Sequence, residues 1–216
     1  AQYAARLLAR QEGITIHATP NRREALPGAD FVIVSVAVDR IAAWKLDWQI
    51  PLRHGVRHVL GENGGPGGLS HALRNIPLLL GIAKDVEELA PDALLLNFTN
   101  PLPRLCLALH LHTKVKFVGL CHQIGKGYWL VNDVLGRVGT NAPSKRAYQR
   151  ALEERYHLTA VGLNHFTFIL EMRDRQTGED IYPLFRERVA HMPPSFELMS
   201  RRLMDVFGLF CATGDG

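Results

Sequence analysis

The chain has 216 residues, 47% of them hydrophobic and 21% charged, with a formal net charge of +4. That is ordinary for a soluble globular protein with one sizeable core, or one domain and part of another. The 25 Lys and Arg residues are scattered and never form a basic stripe with interleaved aromatics, which argues against nucleic-acid binding, and no apolar run reaches the ~18 residues that cross a bilayer.

The N-terminus has no signal-peptide pattern and no initiator Met, and it opens inside an Ala/Leu/Arg helix pattern. The C-terminus stops on Gly214-Asp215-Gly216, a turn, so the chain reads as a fragment of a longer protein. Three widely spaced cysteines make no disulfide framework, and a reducing, cytoplasmic setting fits them best.

In chain order, residues 1–11 read as the end of an amphipathic helix and 14–18 as a short alternating strand. Residues 21–26 read as a helical turn and 27–30 as a tight turn. Phe31 to Val36 is almost wholly apolar and β-branched, the pattern of a parallel strand buried on both faces. A helix is expected over 41–53, then a Gly-rich loop over 61–68. A second helix runs from about 69 to 89, with a break foreseen at Pro77. Buried strands at 91–99 and 115–120 flank a crossover helix at 102–112. This alternation predicts an α/β fold with a doubly wound parallel sheet.

After Gly125 the texture changes, and a domain boundary is placed there, giving residues 1–124 and 125–216. Helices over 128–138 and 144–156 lead into a hairpin with arms 158–162 and 166–172. A largely helical stretch over 181–210 follows.

Ligands of open α/β sheets bind at the carboxyl ends of the strands. Three such ends fall at Val38-Asp39, Thr99-Asn100-Pro101 and Leu120-Cys121-His122, and they are expected to converge on one cleft. Asn100 offers a donor and an acceptor to a sugar hydroxyl, and reads equally as a turn-forming Asn-Pro. The loop Gly61-Glu62-Asn63-Gly64-Gly65-Pro66-Gly67-Gly68 would let backbone amides approach a cofactor phosphate, or is simply a flexible loop. It matches neither the GxGxxG fingerprint nor a P-loop. Cys121 and His165 read as a thiolate and imidazole pair for a divalent metal, or as a buried thiol and a core histidine. Cys106 and Cys211 read as structural.

Taken together, Pro91 to Pro101 continuing to Lys116-Phe117-Val118-Gly119-Leu120-Cys121 resembles the signature of glycoside hydrolase family 4. Gly65-Pro66-Gly67-Gly68 and Gly162-Leu163-Asn164-His165 resemble it too. Cys106 departs from the pattern, where the family usually has Thr or Ala.

The resemblance implies a Rossmann-like NAD-binding domain with a second, mixed α/β substrate domain, both incomplete here. It implies NAD and a divalent metal, usually Mn²⁺, in an NAD-dependent exception to the two-carboxylate scheme of most glycosidases. The expected chemistry is hydride transfer from sugar C3 to NAD and metal-assisted deprotonation at C2. Loss of the glycosidic oxygen, addition of water and return of the hydride follow. It assigns the metal to Cys121 and His165, and substrate hydroxyls to Asn100 and Asn164. Cofactor contacts go to Asn63, Gly65, Pro66, Gly67 and Gly68, and a candidate base to Asp215. The Cys121-His122 pair looks like the α-glycosidase branch, so α-galactosides, α-glucosides and α-uronides are the expected substrates of a dimeric or tetrameric enzyme. The rival reading is an NAD-dependent 2-hydroxy-acid dehydrogenase, which shares the fold and the Asn-Pro strand end but has no use for Cys121. A metal-free sensor on the same fold is the non-enzymatic alternative.

Overall fold

A computed structural model describes residues 3, 6, 13–58 and 62–212. Contacts divide the chain into two units, Ala1–Leu120 and Cys121–Gly216.

In the first unit, α1 (Arg22–Ala25) is a single turn capped by the Asn21 side chain. The strands β1 (Phe31–Val34), β2 (Leu94–Asn97) and β3 (Lys116–Gly119) form a parallel sheet in that order. Between β1 and β2 run α2 (Arg40–Arg53) and α3 (Gly65–Leu89), and α4 (Leu102–His112) joins β2 to β3. The register sets Val34 beside Asn97 and Asn97 beside Gly119. On that face Val34 and Leu95 pack with Leu79, Ala83 and Val86 of α3 and with Leu105 and Leu109 of α4. The α3 contributions recur at helical spacing, so one stripe of a 25-residue helix carries much of this core.

Several expectations need correction. Phe31–Val34 is not buried on both faces: Phe31 is 65% and Ile33 68% exposed, and on β3 Val118 is 38% exposed. An apolar run reports hydrophobicity, not coverage, and among the described residues helices pack on one face only. The segment 14–18 forms no strand, having no neighbour to pair with among the described residues, and the helix expected over 1–11 lies largely outside them. The Gly-rich segment is not a loop throughout. Gly65 to Gly68 form the first turn of α3, with Gly64 at the cap and Pro66 preset for a helix start. Pro77 lies inside α3 without ending it.

The second unit begins with α5 (Gln123–Leu135), closed by Gly136 at φ 65°, and α6 (Lys145–Arg155), capped by the Ser144 hydroxyl on Ala147 N. The helix α5 starts five residues before the expected position. Gly125 and Gly127 lie inside its first turns, and Gly127 permits close approach: a Cβ there would meet Ala212 Cβ at 3.2 Å. The strands β4 (Tyr156–Leu163) and β5 (Phe166–Asp174) pair antiparallel, with a bulge at Thr159/Ala160. The helices α7 (Tyr182–Ala190) and α8 (Leu198–Phe207) follow. Leu130, Val131 and Val134 of α5 pack against Leu152, Tyr156, Ile169, Met172 and Phe185. Buried Asn132 joins this core by accepting from Tyr156 Oη at 2.7 Å and donating to Tyr148 Oη at 2.8 Å.

The parallel sheet and the separate antiparallel pair give the mixed α/β class expected from the sequence.

Candidate functional site

In the first unit the ends of β1 and β2 open into a cavity of about 360 Å³, lined in part by Ser35, Val38, Arg40, Glu62, Arg74, Phe98 and Asn100. Side chains tie its rim to main chain. Val36 N donates to Thr99 Oγ1 at 3.0 Å. Asn75, fully buried, accepts from Val38 N at 3.2 Å and donates to the Asn100 carbonyl at 3.0 Å. The Asn100 side chain donates to Glu62 Oε1 at 3.0 Å and accepts from Leu102 N at 3.3 Å. The Asn100–Pro101 peptide is cis.

One wall is braced by Arg74. It donates to Ser70 Oγ and to both carboxylate oxygens of Asp47, whose side chain is 3% exposed. Burial alone would raise the Asp47 pKa. The Arg74 hydrogen bonds and charge outweigh it and hold the carboxyl below its usual range.

Asn63, Gly65, Pro66, Gly67 and Gly68 stand together at the start of α3. Arg104 donates to the Asn63 carbonyl. The Asn63 Oδ1 atom is buried and meets no hydrogen-bond partner among the described residues. A Cβ on Gly68 would lie 2.7 Å from the Asn63 carbonyl carbon, so only glycine lets the turn close. Unpaired N–H groups at the start of a long helix suit an anionic group, so these residues fit a dinucleotide's polar parts.

In the second unit, Cys121 Sγ lies 3.7 Å from His165 Nε2, although 44 residues separate them. The thiol is exposed. Bonds of ~2.3 Å from sulfur and ~2.1 Å from nitrogen to one cation are compatible with that separation. Among the described residues no group of three or more His, Cys, Asp or Glu side chains converges on a metal position. A thiolate and an imidazole at this separation are a donor pair that suits a divalent cation.

His165 sits in a tight turn, with Asn164 and His165 between the paired Leu163 and Phe166. Its φ of 136° is one that side chains rarely adopt. The turn is held by neighbours. Thr167 Oγ1 donates to the Leu163 carbonyl at 2.9 Å, and Gly162 at φ 148° admits no Cβ. The Asn164 side-chain nitrogen donates to Gln123 Oε1 at 3.4 Å. Asp215 lies outside the described residues. Cys106 is half-buried and Cys211 buried.

Sequence reasoning brought out Asn100, Asn164, Cys121 and His165, and missed Glu62, Asn75, Thr99 and Gln123. For two of these a signal existed. Asn75 falls on the apolar stripe of α3 with Leu79, Ile82 and Val86, and Gln123 falls on that of α5 with Gly127, Leu130 and Val134. A polar residue on a core stripe needs a buried partner.

Residues 3–135 match the model of the family described as Family 4 glycosyl hydrolase, and residues 160–216 match that family's C-terminal domain. An alpha-glucosidase of Erwinia rhapontici is 43% identical over 169 residues, which are 77% of this chain and 34% of the relative. An alpha-galactosidase of Bacillus subtilis is 32% identical over 200 residues, 91% of this chain and 43% of the relative. A 6-phospho-beta glucosidase of Thermotoga maritima, solved with manganese, NAD+ and glucose-6-phosphate, superposes with a TM-score of 0.75. At 24% identity it covers 98% of this chain and 47% of that one, and shows likeness of fold. The chain thus spans about a third to under a half of the length of the proteins it matches.

Proposed function

Because the chain belongs to family 4 of the glycosyl hydrolases, we propose that the whole protein is an NAD- and divalent-metal-dependent glycosidase. It cleaves an α-galactoside, α-glucoside or α-uronide. The observation that carries this reading is the approach of Cys121 Sγ to His165 Nε2 at 3.7 Å. When bound, NAD supplies a hydride acceptor at sugar C3, and the cation, Mn²⁺ by family likeness, supplies a Lewis acid where charge develops.

The protein's own residues then have distinct tasks. Cys121 and His165 would hold the cation. Asn100, its amide turned by Glu62, orients sugar hydroxyls, with Asn164 as a second polar contact. Asn63, Gly65, Pro66, Gly67 and Gly68 receive the cofactor, with Gly68 allowing the close turn. Asp215 is the proposed base for the C2 proton. Residues 1–124 belong to the NAD-binding domain and 125–216 to the substrate domain. The described helices include none long and apolar enough to cross a membrane. A cytoplasmic homo-oligomer, dimer or tetramer, completes the proposal.

A 2-hydroxy-acid dehydrogenase is not favoured, since it leaves the Cys121–His165 pair without a task. The test is to assay the full-length protein on p-nitrophenyl α-glycosides and uronides under reducing conditions, with NAD and Mn²⁺ added or withheld. Turnover requiring both is expected. NAD reduction by a hydroxy acid, with no glycoside cleaved, overturns the proposal.

A further inference from the structure

Gln123 is the third residue of the Cys121-His122-Gln123 run and the first of α5, yet it is only 8% exposed. A buried side-chain amide needs partners, and Gln123 finds them on both sides of the His165 turn. Its oxygen accepts from Asn164 Nδ2 at 3.4 Å, and its nitrogen donates to Thr167 Oγ1. Thr167 passes the connection on by donating to the Leu163 carbonyl at 2.9 Å. One amide thus ties the segment that carries Cys121 to the residues immediately before and shortly after His165.

The His165 backbone explains why a tie is needed. A φ of 136° is strained for a side-chain-bearing residue and persists only where the surroundings over-determine it. Gly162 and the Leu163–Thr167 bond fix the hairpin internally. Apolar packing holds the hairpin on α5, and the Gln123 amide adds the directional contacts at the His165 turn.

We propose that Gln123 is a positioning residue that sets the Cys121–His165 separation through Asn164 and Thr167. The inference rests on the reading that this pair holds a divalent cation. It predicts that cation affinity depends on an amide that touches no metal. Partners behind metal ligands commonly govern 10–100-fold in affinity.

Co²⁺ is the probe, titrated anaerobically into the reduced full-length protein while the thiolate-to-cobalt charge-transfer absorption is followed. Wild type is expected to show the band, and Cys121→Ser to lose it. Gln123→Ala should weaken binding about 10–100-fold while far-ultraviolet circular dichroism stays native. Thr167→Val should weaken it in the same direction. The double variant should cost less than the product of the single effects, because the two share the Gln123–Thr167 bond. If Gln123→Ala does not fold, Gln123→Met, which keeps the side-chain length and removes the amide, carries the comparison. A Cys121-dependent band with unchanged affinity in the folded variants overturns the positioning role and leaves the metal pair standing. No band in wild type overturns the metal pair itself, and this inference with it.

Discussion

Asn75 donates its side-chain amide to the main-chain carbonyl of Asn100 at 3.0 Å, while its oxygen accepts from Val38 N at 3.2 Å. One buried side chain on α3 thereby fixes both strand-end segments that line the cavity. Asn75→Leu keeps the volume but leaves that amide and carbonyl without their partner. We expect a loss of about 2 kcal/mol, read from the urea midpoint. Hydrogen exchange at the Val38 amide should accelerate as well. An unchanged midpoint and unchanged exchange would show that solvent replaces Asn75 without cost.

Gly162 gives a second prediction. A Cβ there would lie 2.8 Å from Thr167 Cα and closer still to the Phe166 carbonyl oxygen, with φ already at 148°. Neither obstacle is a flexible side-chain end. Gly162→Ala is expected to destabilise by about 3 kcal/mol and to shift the His165 turn. Chemical denaturation and the Co²⁺ titration check the two effects separately. A variant as stable as wild type that binds Co²⁺ equally well would count against a rigid turn.

Much of the fold was legible because its signals are periodic. The α3 stripe of Leu79, Ala83 and Val86, and the paired runs of the hairpin, report themselves in the sequence. What failed is what periodicity does not encode. The run Phe31–Val34 is apolar throughout, and nothing in it distinguishes a covered face from a bare one. Gly65 to Gly68 looked like a loop because glycine is a poor helix former, whereas here close approach to Asn63 decides. At the candidate site, Cys121 and His165 stand 44 residues apart, so residue chemistry offered them as a metal pair only beside the reading of a buried thiol and a core histidine. Asn75 and Gln123 show as polar residues on core stripes, but their partners lie 25–44 residues away and do not show in the sequence.

The departure at Cys106 has a packing counterpart. A Cβ on Gly119 would sit 2.5 Å from Cys106 Sγ and 3.2 Å from Leu102 Cδ1. Burial pushes the Cys106 thiol up, opposed in part by the Asn97 amide, so it packs as a neutral group. Gly119→Ala should cost about 1–3 kcal/mol by overpacking. Adding Cys106→Ala should recover a substantial part. Urea unfolding of the two single variants and the double variant measures the coupling, and strictly additive losses would exclude a direct clash.

Asp174 ends β5 with no exposed side chain, ion-paired to Arg137 and, at 2.6 Å, to Arg155. Its Oδ1 also accepts from Gln176 N at 2.9 Å and Thr177 N at 3.3 Å. Burial, the largest single influence, favours the neutral acid. The Arg137 bond, the two amides and the Arg155 charge outweigh it and hold the pKa below the usual carboxylate range. The sign follows from linkage. A depressed folded pKa contributes stability that is complete above the unfolded value near ~3.9 and is lost as pH falls through the folded value. Asp174→Asn removes the charge that Arg137 and Arg155 face, and about 3 kcal/mol should be lost at neutral pH. The gap between wild type and variant should narrow as pH drops below about 4, because protonation makes the wild-type group neutral too. Urea midpoints of both proteins, taken from neutral pH down into that acid range, provide the check. A gap that stays constant would mean that Asp174 stabilises the turn by shape and hydrogen bonding, with its charge contributing nothing.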